Sequence, residues 1–507
     1  MTSTLVRGRW VIIDDGDGPR ALSDAAVRID DDRIAKIGPF ADLRASHPDT
    51  PVLGSERYAV MPGLINAHHH ANAISHLQHG IADDLLEPWL LGNTVIRPTD
   101  PGARTSLAAA RLLKTGVTAV VDMASVPGAT DAGHAELTAR LDAYEASGLR
   151  GVLCPGVSFE SRLIHREDQA FLASLPADLA ARATAAFLDR DAGTPDDYLA
   201  IVKGLIERAS SMTRASVAYG PPGPQWVGDD LMVRIAEAAE RFDVGIQTHA
   251  MESYYERLES PRAYGMSLFE RYRELGVLSP RLSFAHAVWA SEADIAVLAE
   301  TGAAVSHNPS SNLRLRSGVM PLNGMTAAGV TVGLGMDGTT VGDDEDMFAE
   351  MRLAARLHRE PRLGAPAPSP ADILRLATTG GARLMRRNDI GRLAPGMKAD
   401  MVLVDLERLS WPWIAPEVDP LALVLLKAKA GDVTTVLVDG EVVLRDGRPT
   451  RIDMQEIAET LVDGLERQAL PDEMAELVMA LKPHLVAWYQ AWPAGEDVPW
   501  AAFNSRR

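Results

Sequence analysis

The chain has 507 residues, one cysteine and a formal net charge of −19, because 69 Asp and Glu outnumber 50 Lys and Arg. The lone Cys154 cannot form an intramolecular disulfide, which excludes a disulfide-stapled secreted scaffold and favours a reducing compartment. The negative charge argues against nucleic-acid and anionic-membrane partners, and we expect neither a secretion signal nor a membrane span. Together these features predict a cytoplasmic protein of about three domains.

Short β-rich segments, separated by turn residues, occur near both ends of the chain. They lie at residues 10–13, 26–29 and 33–38, and again at 399–405, 433–440 and 441–444. Runs rich in β-branched residues and bounded by turn signals are typical of strands. We expect residues 1–57 and 386–450 to form one small composite β-sandwich, into which the intervening segment is inserted.

The middle of the chain alternates between short apolar runs and stretches that are typical of helices. The eight runs lie at residues 59–65, 118–122, 151–153, 216–219, 245–248, 282–285, 303–306 and 331–335. Buried parallel strands have this composition, and their alternation with helices indicates βα units. We therefore predict an α/β fold in which residues 58–385 form a (β/α)8 TIM barrel.

The last segment, residues 451–507, is predicted to be a helical extension. Two amphipathic helices are expected between Met454 and Gln490, with a break at Pro471. Such helices either pack against the barrel or contribute to an oligomer, and the sequence does not distinguish these roles.

Ionisable residues follow several of the predicted strands, at the end that forms the active-site face of a barrel. In the run His68-His69-His70, the first and third imidazoles point to the same side of a strand, where they can share a metal ion. His249, His286 and Asp337 end three later runs. Three imidazoles and a carboxylate that converge, with a water completing the shell, predict an open catalytic metal site.

Seven segments of the chain resemble signatures of the amidohydrolase superfamily, in the same order and over roughly residues 5–450. The most similar branch is the group of cytosine deaminase and triazine hydrolase-like enzymes. The segments are residues 61–70 (MPGLINAHHH), 248–252 (THAME), 284–289 (FAHAVW), 306–313 (SHNPSSNL), 333–338 (GLGMDG), 377–384 (ATTGGARL) and 391–400 (GRLAPGMKAD).

The resemblance implies a metal-dependent hydrolase of carbon–nitrogen bonds that deaminates an N-heterocycle or a cyclic amidine with a metal-activated water. It implies that His286 lies beside that water, that Glu252 shuttles protons and that Asp337 also accepts a proton. It implies Zn²⁺ as the metal, with Fe²⁺ or another first-row ion as alternatives, and a homo-oligomer, either dimer or tetramer. The implied metal ligands are His68, His70, His249 and Asp337.

The scarcity of lysine bears on the number of metal ions. Binuclear members of the superfamily bridge two metals through a carboxylated lysine at the end of the fourth strand. Between Lys114 and Lys398 the chain has only Lys203, which lies in a helical-looking stretch before the fourth run. We therefore expect one divalent metal ion per chain.

Four residues are predicted to contact the small-molecule substrate: Trp89, Gln225, Asn312 and Arg316. Trp89 can stack on a flat ring or serve as an apolar lid. Gln225 lies in a loop, residues 220–226, that lacks the histidine of adenosine-analogue deaminases, which argues against a purine nucleoside. Arg316 and its neighbour Arg314 can bind a substrate carboxylate or pair with the acidic residues at 343–346.

Three alternatives to deamination remain open. The same site can hydrolyse a chloride, an alkylamine or an amide from a xenobiotic-like compound. A catalytically silent scaffold would use the barrel for binding, although silent relatives usually lose metal ligands that this chain retains. A glycosidase with paired carboxylates on the same fold would leave the histidines unexplained.

Overall fold

Strands and helices alternate along the chain in the computed structural model, which describes residues 3–16, 18–338, 340–467 and 472–493. The strands are β1 (Ser3–Ile13), β2 (Arg20–Asp30), β3 (Arg33–Pro39), β4 (Val52–Pro62), β5 (Leu64–His69), β6 (Val117–Ser125), β7 (Arg150–Gly156), β8 (Ala215–Val217), β9 (Ile246–Ala250), β10 (Leu282–His286), β11 (Ala304–His307), β12 (Val332–Leu334), β13 (Met401–Asp405), β14 (Val433–Val438), β15 (Glu441–Arg445) and β16 (Arg448–Pro449).

Helices follow most of these strands. They are α1 (Phe40–Ser46), α2 (Leu86–Asn93), α3 (Pro101–Lys114), α4 (Asp131–Ser147), α5 (Asp168–Ala173), α6 (Ala177–Ala183), α7 (Pro195–Ala209), α8 (Pro224–Phe242), α9 (Tyr254–Tyr264), α10 (Leu268–Glu274), α11 (Glu292–Thr301), α12 (Pro309–Arg314), α13 (Leu322–Ala327), α14 (Met347–Leu357), α15 (Pro370–Arg375), α16 (Gly381–Leu384), α17 (Leu406–Ser410), α18 (Pro420–Lys427), α19 (Met454–Arg467) and α20 (Asp472–Gln490). None of them, within the described ranges, combines the length and the apolar character that a membrane crossing requires.

Two parallel four-stranded sheets form the barrel. One has the order β5-β6-β7-β8 and the other the order β9-β10-β11-β12. Two further parallel bridges join these sheets, one between Tyr219 and Ile246 and one between His69 and Asp337. The eight strands thus follow one another in chain order around a ring, which confirms the predicted α/β barrel class.

The first predicted run, residues 59–65, is divided between two strands at Gly63. Residues up to Pro62 belong to β4, which pairs with β13, whereas β5 starts at Leu64 and pairs with β6. A Cβ atom at Gly63 would lie 2.1 Å from Oγ1 of Thr118, so only glycine permits this close passage. The interpretation of this run as one barrel strand is therefore wrong, and the proposed domain limits stay a prediction.

Strands from both ends of the chain form one eight-stranded sheet beside the barrel. Its order is β16-β15-β14-β13-β4-β1-β2-β3, and only the β1–β4 pair is parallel. Val6, Val60 and Leu403 belong to a hydrophobic cluster of this sheet that is separate from the barrel core. Such a core, contributed by distant parts of the chain, agrees with the predicted composite domain.

The C-terminal helices pack on the barrel side of the molecule. Leu461 of α19 contacts the buried face of α3, and α20 packs against α2 and α6. Leu481, Leu485 and Tyr489 of α20 form a hydrophobic cluster with residues of the segment 164–187. The predicted break at Pro471 and the end of the extension, residues 494–507, lie outside the described residues.

Candidate metal centre and active site

The residues predicted to bind metal converge at the carboxyl-terminal ends of the barrel strands. His68 lies in β5 and His70 directly follows it, whereas His249 lies in β9 and Asp337 follows β12. One nitrogen from each of His68, His70 and His249 lies within 4.8 Å of the others, and the ligand atoms of His68, His286 and Asp337 meet the same limit. The structure thus brings together side chains that are up to 269 positions apart in the sequence.

Each of the four imidazoles is oriented by a hydrogen bond from its Nδ1 atom to an oxygen. Because these oxygens accept, Nδ1 carries the proton and Nε2 is left with its lone pair. The Nδ1 atom of His68 donates to Gln247 Oε1 (2.9 Å), that of His70 to the Met123 carbonyl (2.9 Å), that of His249 to the Pro222 carbonyl (2.6 Å) and that of His286 to Asn312 Oδ1 (2.8 Å). The shared pattern leaves four Nε2 atoms that face one centre.

Asp337 supplies the carboxylate of the cluster. Its Oδ1 atom lies 3.0 Å from Nε2 of His70 and 3.5 Å from Nε2 of His68. Its Oδ2 atom accepts a hydrogen bond of 2.6 Å from Ser311 Oγ. Burial alone would raise the pKa of Asp337, but the close imidazoles of His68 and His70 outweigh burial and hold that pKa well below its ordinary value. The carboxylate is therefore ionised.

Spacing between the ligand atoms fits a single metal ion. Two nitrogens bound to one Zn²⁺ at ordinary bond lengths stand about 3.3–3.4 Å apart. The Nε2 atoms of His70 and His249 are 3.3 Å apart. In the described part of the chain, Nε2 of His68 and Nε2 of His286 are buried without a hydrogen-bond partner. Buried acceptors without donors are costly, and a cation at their centre would satisfy them.

Backbone strain is concentrated at the same place. His286 has φ 77° and Asp337 has φ 55°, both in the left-handed region that side chains other than glycine rarely adopt. Each of these residues stands where the chain leaves the barrel. Such strained residues persist only when their surroundings hold them, and they cluster at functional sites.

Glu252 and His286 flank the four predicted metal ligands, which we call the ligand cluster: His68, His70, His249 and Asp337. Oε2 of Glu252 lies 3.5 Å from Nε2 of His286, and its Oε1 atom has no hydrogen-bond partner among the described residues. Burial and the charges of Asp337 and Glu256 raise the pKa of Glu252 well above its ordinary value. Burial lowers the pKa of His286 to about 4. Burial therefore favours the protonated carboxyl of Glu252 and the neutral imidazole of His286.

These groups line a cavity of about 280 Å³, which we call the catalytic cavity. His70, His249, Glu252, His286 and Asp337 form its floor, and Trp89 belongs to its wall. The indole ring of Trp89 packs against the imidazole ring of His76, with 4.4 Å between the ring centroids. Of the four predicted substrate contacts, Trp89 is thus the one that lines the cavity.

The other three predicted substrate contacts lie away from the cavity wall formed by the described residues. The amide nitrogen of Gln225 donates to His165 Nδ1 (3.2 Å) and Glu256 Oε1 (3.1 Å), behind the cavity. Asn312 orients His286 through its Oδ1 atom. Arg316 is exposed at a positive φ of 53°. Their direct contact with substrate stays a prediction.

Arg314 forms ion pairs with acidic residues of the protein, which is the second of the two roles considered for Arg314 and Arg316. Its guanidinium group lies 2.7 Å from Asp83 and also pairs with Asp343. Asp343 belongs to the acidic residues at 343–346 that were expected to offer such a partner. The charge of Arg314 is therefore used within the protein.

Several residues that hold the site together were not predicted from the sequence. Gln247 orients His68 and precedes His249 by two positions on β9, so the strand period alone could have identified it. Ser311 holds Asp337 and lies within the segment 306–313 that the family resemblance already covers. The carbonyl groups of Met123 and Pro222 carry no signal in the sequence, because every residue has a carbonyl group.

Comparison with known proteins gives consistent relatives. Residues 59–443 match the amidohydrolase family, and residues 25–49 match an imidazolonepropionase-like composite domain of bacteria. The chain is 32% identical over 460 residues to a 5-methylthioadenosine/S-adenosylhomocysteine deaminase of Nitratidesulfovibrio vulgaris, an alignment covering 88% of this chain and 95% of the relative.

Two solved structures are similar over nearly the whole chain. A zinc-bound adenosine deaminase from Xanthomonas campestris has a TM-score of 0.77 and 27% identity, covering 92% of this chain and 98% of that protein. A zinc complex of atrazine chlorohydrolase from Arthrobacter aurescens has a TM-score of 0.77 and 25% identity, covering 91% of this chain and 100% of that protein.

Proposed function

The chain belongs to the amidohydrolase family, and on this premise we propose that it is a metal-dependent aminohydrolase that deaminates an N-heterocycle or a cyclic amidine. The observation that carries the proposal is the convergence of four imidazoles and the carboxylate of Asp337 beside the carboxyl group of Glu252. Relatives named as deaminases support carbon–nitrogen hydrolysis as the reaction class. A glycosidase would have no use for this array of imidazoles.

One divalent ion, Zn²⁺ in preference to Fe²⁺ or another first-row metal, is proposed to be held by His68, His70, His249 and Asp337. The zinc in both similar structures and the 3.3 Å spacing of two ligand nitrogens support this assignment. A single ion is favoured because Lys203 lies on α7 and pairs with Glu207 at 2.6 Å, with half of its side chain exposed. Metal analysis of the purified protein should find about one tightly held ion per chain, and two ions per chain would contradict the lysine argument.

The protein groups divide the proton transfers between them. A divalent ion in this position supplies a water molecule of lowered pKa as the nucleophile. Ionised Asp337, held by Ser311, can accept a proton from that water. The carboxyl group of Glu252 can donate its proton to a ring nitrogen, and the proton accepted by Asp337 can then pass to the departing amine. Nε2 of His286 can accept a hydrogen bond from the water and, once protonated, stabilise negative charge on the attacking oxygen.

The substrate is proposed to be a planar ring that stacks on Trp89 in the catalytic cavity. Relatives named for purine nucleosides keep this class among the candidates, although the loop at 220–226 lacks the expected histidine. Similarity to atrazine chlorohydrolase favours a second candidate function, in which the same site displaces chloride from a triazine.

A substrate panel separates these two reactions. We expect ammonia release from at least one amino-substituted pyrimidine, triazine, purine or guanidino compound incubated with the zinc-loaded protein. Release of chloride or hydrolysis of amides, with no ammonia from any member of the panel, would replace deamination by the second candidate. If protein that holds one zinc per chain shows none of these activities, a catalytically silent binding scaffold is the function that remains.

We further propose a domain organisation and an assembly for the chain. The organisation comprises a composite domain from residues 1–57 and 386–450, a barrel at 58–385 and an extension at 451–507. The protein is further proposed to form a homo-oligomer, either a dimer or a tetramer. We propose that it is located in the cytoplasm, and the single cysteine supports this location. Light scattering on the full chain measures the oligomeric state, and a monomer would contradict it.

A further inference from the structure

A large cavity lies at the amino-terminal end of the barrel strands, at the opposite end from the catalytic cavity. Its volume is about 920 Å³, and we call it the basal cavity. Val332, the first residue of β12, lines the basal cavity, whereas Asp337, which follows the end of β12, lines the catalytic cavity. A molecule in the basal cavity is therefore separated from the ligand cluster by the length of this strand, and the proposed deamination leaves the space without a role.

Three parts of the chain form the wall of the basal cavity. The first is the turn between β1 and β2, which contributes Asp14 and Gly18, and the second is α13 with the turn that precedes β12. The third part runs from α15 to the segment that follows α16, and it contributes four arginines: Arg375, Arg383, Arg387 and Arg392. This concentration of positive charge contrasts with the formal net charge of the chain, which is −19.

Two of the four arginines have a carboxylate partner. The guanidinium group of Arg375 lies 3.0 Å from Asp372, and that of Arg387 lies 2.7 Å from Asp389. Both partners lie within three positions of their arginine in the sequence. The charges of these two arginines are therefore neutralised locally.

The other two arginines, Arg383 and Arg392, form no ion pair and no side-chain hydrogen bond with any residue that the structure describes. Arg383 is exposed on α16, and Arg392 is half-buried in the segment after it. Asp14 lines the same cavity, but its carboxylate accepts a hydrogen bond of 3.0 Å from the backbone N–H of Gly16 and pairs with neither arginine. Two guanidinium groups of the wall are thus left for a ligand.

Apolar side chains complete the wall of the basal cavity. Leu322, Val330 and Ile390 line it, and all three are otherwise buried. Guanidinium groups match the geometry of phosphate oxygens, and apolar side chains can cover the face of a flat ring. Small-molecule sites have volumes of about 300–1,000 Å³, so the basal cavity is large enough for a phosphate group joined to a ring system.

From these observations we infer that the basal cavity binds a nucleoside phosphate, with its phosphate group on Arg383 and Arg392 and its base on the apolar wall. The inference does not depend on the proposed deamination, because the two cavities lie at opposite ends of the barrel. A molecule held there contacts the β1–β2 turn of the composite sheet and the barrel at the same time. Since it binds only the folded chain, it should stabilise the fold.

Isothermal titration calorimetry of the full chain with uridine monophosphate tests the assignment. Uracil has no ring amine, so the proposed deamination cannot consume this probe. We expect uridine, which lacks the phosphate group, and inorganic phosphate, which lacks the base, each to bind at least about tenfold more weakly than uridine monophosphate. Uridine monophosphate should also raise the midpoint of thermal unfolding.

A double variant, Arg383→Gln with Arg392→Gln, removes both unpaired guanidinium groups and should weaken the binding of uridine monophosphate by at least about tenfold. The matched control is Arg182→Gln with Arg448→Gln, which removes the same charge from two exposed arginines that do not line the cavity. It should bind the probe as the parent does.

Three results would overturn the site: no binding of uridine monophosphate, parent affinity in the Arg383→Gln and Arg392→Gln double variant, or an equal loss of affinity in the control. Uridine that binds as tightly as uridine monophosphate would remove the role of the arginines. Inorganic phosphate that binds as tightly would remove the role of the apolar wall and with it the nucleoside. None of these results bears on ammonia release, so the proposed deamination is tested separately.

Discussion

Two buried polar clusters lie at opposite ends of the barrel, and they differ in how completely their atoms are paired. The ligand cluster lies at the carboxyl-terminal ends of the strands. The second, which we call the junction cluster, lies where β7 and β8 begin and joins the barrel to the composite sheet. It consists of Arg150, Arg214, Lys398, Asp400 and Asp439.

In the junction cluster every carboxylate oxygen has a donor. Asp439 accepts from Arg150 at 2.9 Å, from Lys398 at 3.3 Å and from Arg214. Asp400 accepts from Arg150 at 3.3 Å and 3.4 Å and from the backbone N–H of Asp439 at 2.7 Å. Each of its charged groups therefore has a partner of opposite charge within the chain, with Glu441 and Asp32 as additional partners of Arg214 and Lys398.

At the ligand cluster, two inward nitrogens, Nε2 of His68 and Nε2 of His286, are buried without a hydrogen-bond partner in the described structure. The Nδ1 atom of each of these imidazoles is held by an oxygen, and its inner nitrogen has no donor to accept from. The contrast indicates that the junction cluster stabilises the fold and that the ligand cluster needs a partner from outside the chain. Substitutions at the two clusters should consequently affect different properties.

The largest expected effect is on activity. An Asp337→Asn variant should lower kcat for ammonia release by at least about a thousandfold, because it loses the charge that balances the metal and the acceptor for the proton of water. Circular dichroism should show an intact fold. An Asp142→Asn variant at a half-exposed ion pair is the control, with activity near that of the parent. Turnover within about tenfold of the parent would remove Asp337 from the mechanism.

Glu252→Gln should lower kcat by about 10²–10⁴-fold, since an amide cannot carry the proton that the carboxyl transfers. It should retain its metal ion, because Glu252 flanks the ligand atoms and is not expected to bind the ion. Measurement of kcat and zinc content on the same preparation separates the two roles. Loss of zinc together with activity would reassign Glu252 as a ligand.

At the junction cluster the effect should be on stability. Arg150→Met should lower the free energy of unfolding by about 3–5 kcal/mol, because the buried carboxylates of Asp400 and Asp439 lose their shared partner. Arg208→Met, at an exposed ion pair, should change it by less than about 1 kcal/mol. Urea unfolding measures both, and kcat of the folded protein should be unaffected. Equal losses in the two variants would contradict the structural role of the junction cluster.

The smallest expected effect is a pH dependence of stability at the same cluster. Burial alone would raise the pKa of Asp439, but Arg150 and Arg214 outweigh it and hold this pKa below its ordinary value. A lowered carboxylate pKa stabilises the fold above the unfolded pKa of about 3.9, and this contribution is lost as pH falls through the folded value. Lys398, Asp400 and Glu441 are the other charged groups near Asp439 and Arg214.

Thermal unfolding at pH 7 and below pH 4 tests this sign. The parent should lose more thermal stability on acidification than an Asp439→Asn variant, which has no carboxyl group to titrate. An Asp196→Asn variant, with an exposed side chain, serves as the control and should follow the parent. A steeper loss in Asp439→Asn than in the parent would reverse the assignment.

Much of this architecture follows from local patterns. Short apolar runs and the turns between them predict the barrel and the composite domain, because burial on both faces of a parallel strand requires such runs. His68 and His70 were identified as a pair from strand period alone. Gly63 marks the limit of such local patterns. The run around it has the composition of one strand, but in the structure the chain divides there into two strands, where Gly63 packs against Thr118.

Local patterns did not predict which polar side chains orient the residues of the site and which contact the substrate. Asn312 and Gln225 have side chains suited to substrate recognition, yet in the structure one orients His286 and the other donates to His165 and Glu256. Which polar atom faces a cavity depends on neighbours from other strands and helices. Such neighbours have no fixed spacing in the sequence.

By itself the sequence determined the order of the elements, the chemistry available at each strand end and the family to which the chain belongs. Strand period and burial act over a few residues and so fix the elements locally, whereas the family follows from the resemblance of seven ordered segments. Only the tertiary structure decided which imidazole nitrogen faces the centre, which buried atoms stay unpaired and how α20 is tied to the barrel side of the molecule. The bond between His165 and Tyr489 joins residues 324 positions apart, and no local pattern encodes a contact of that range.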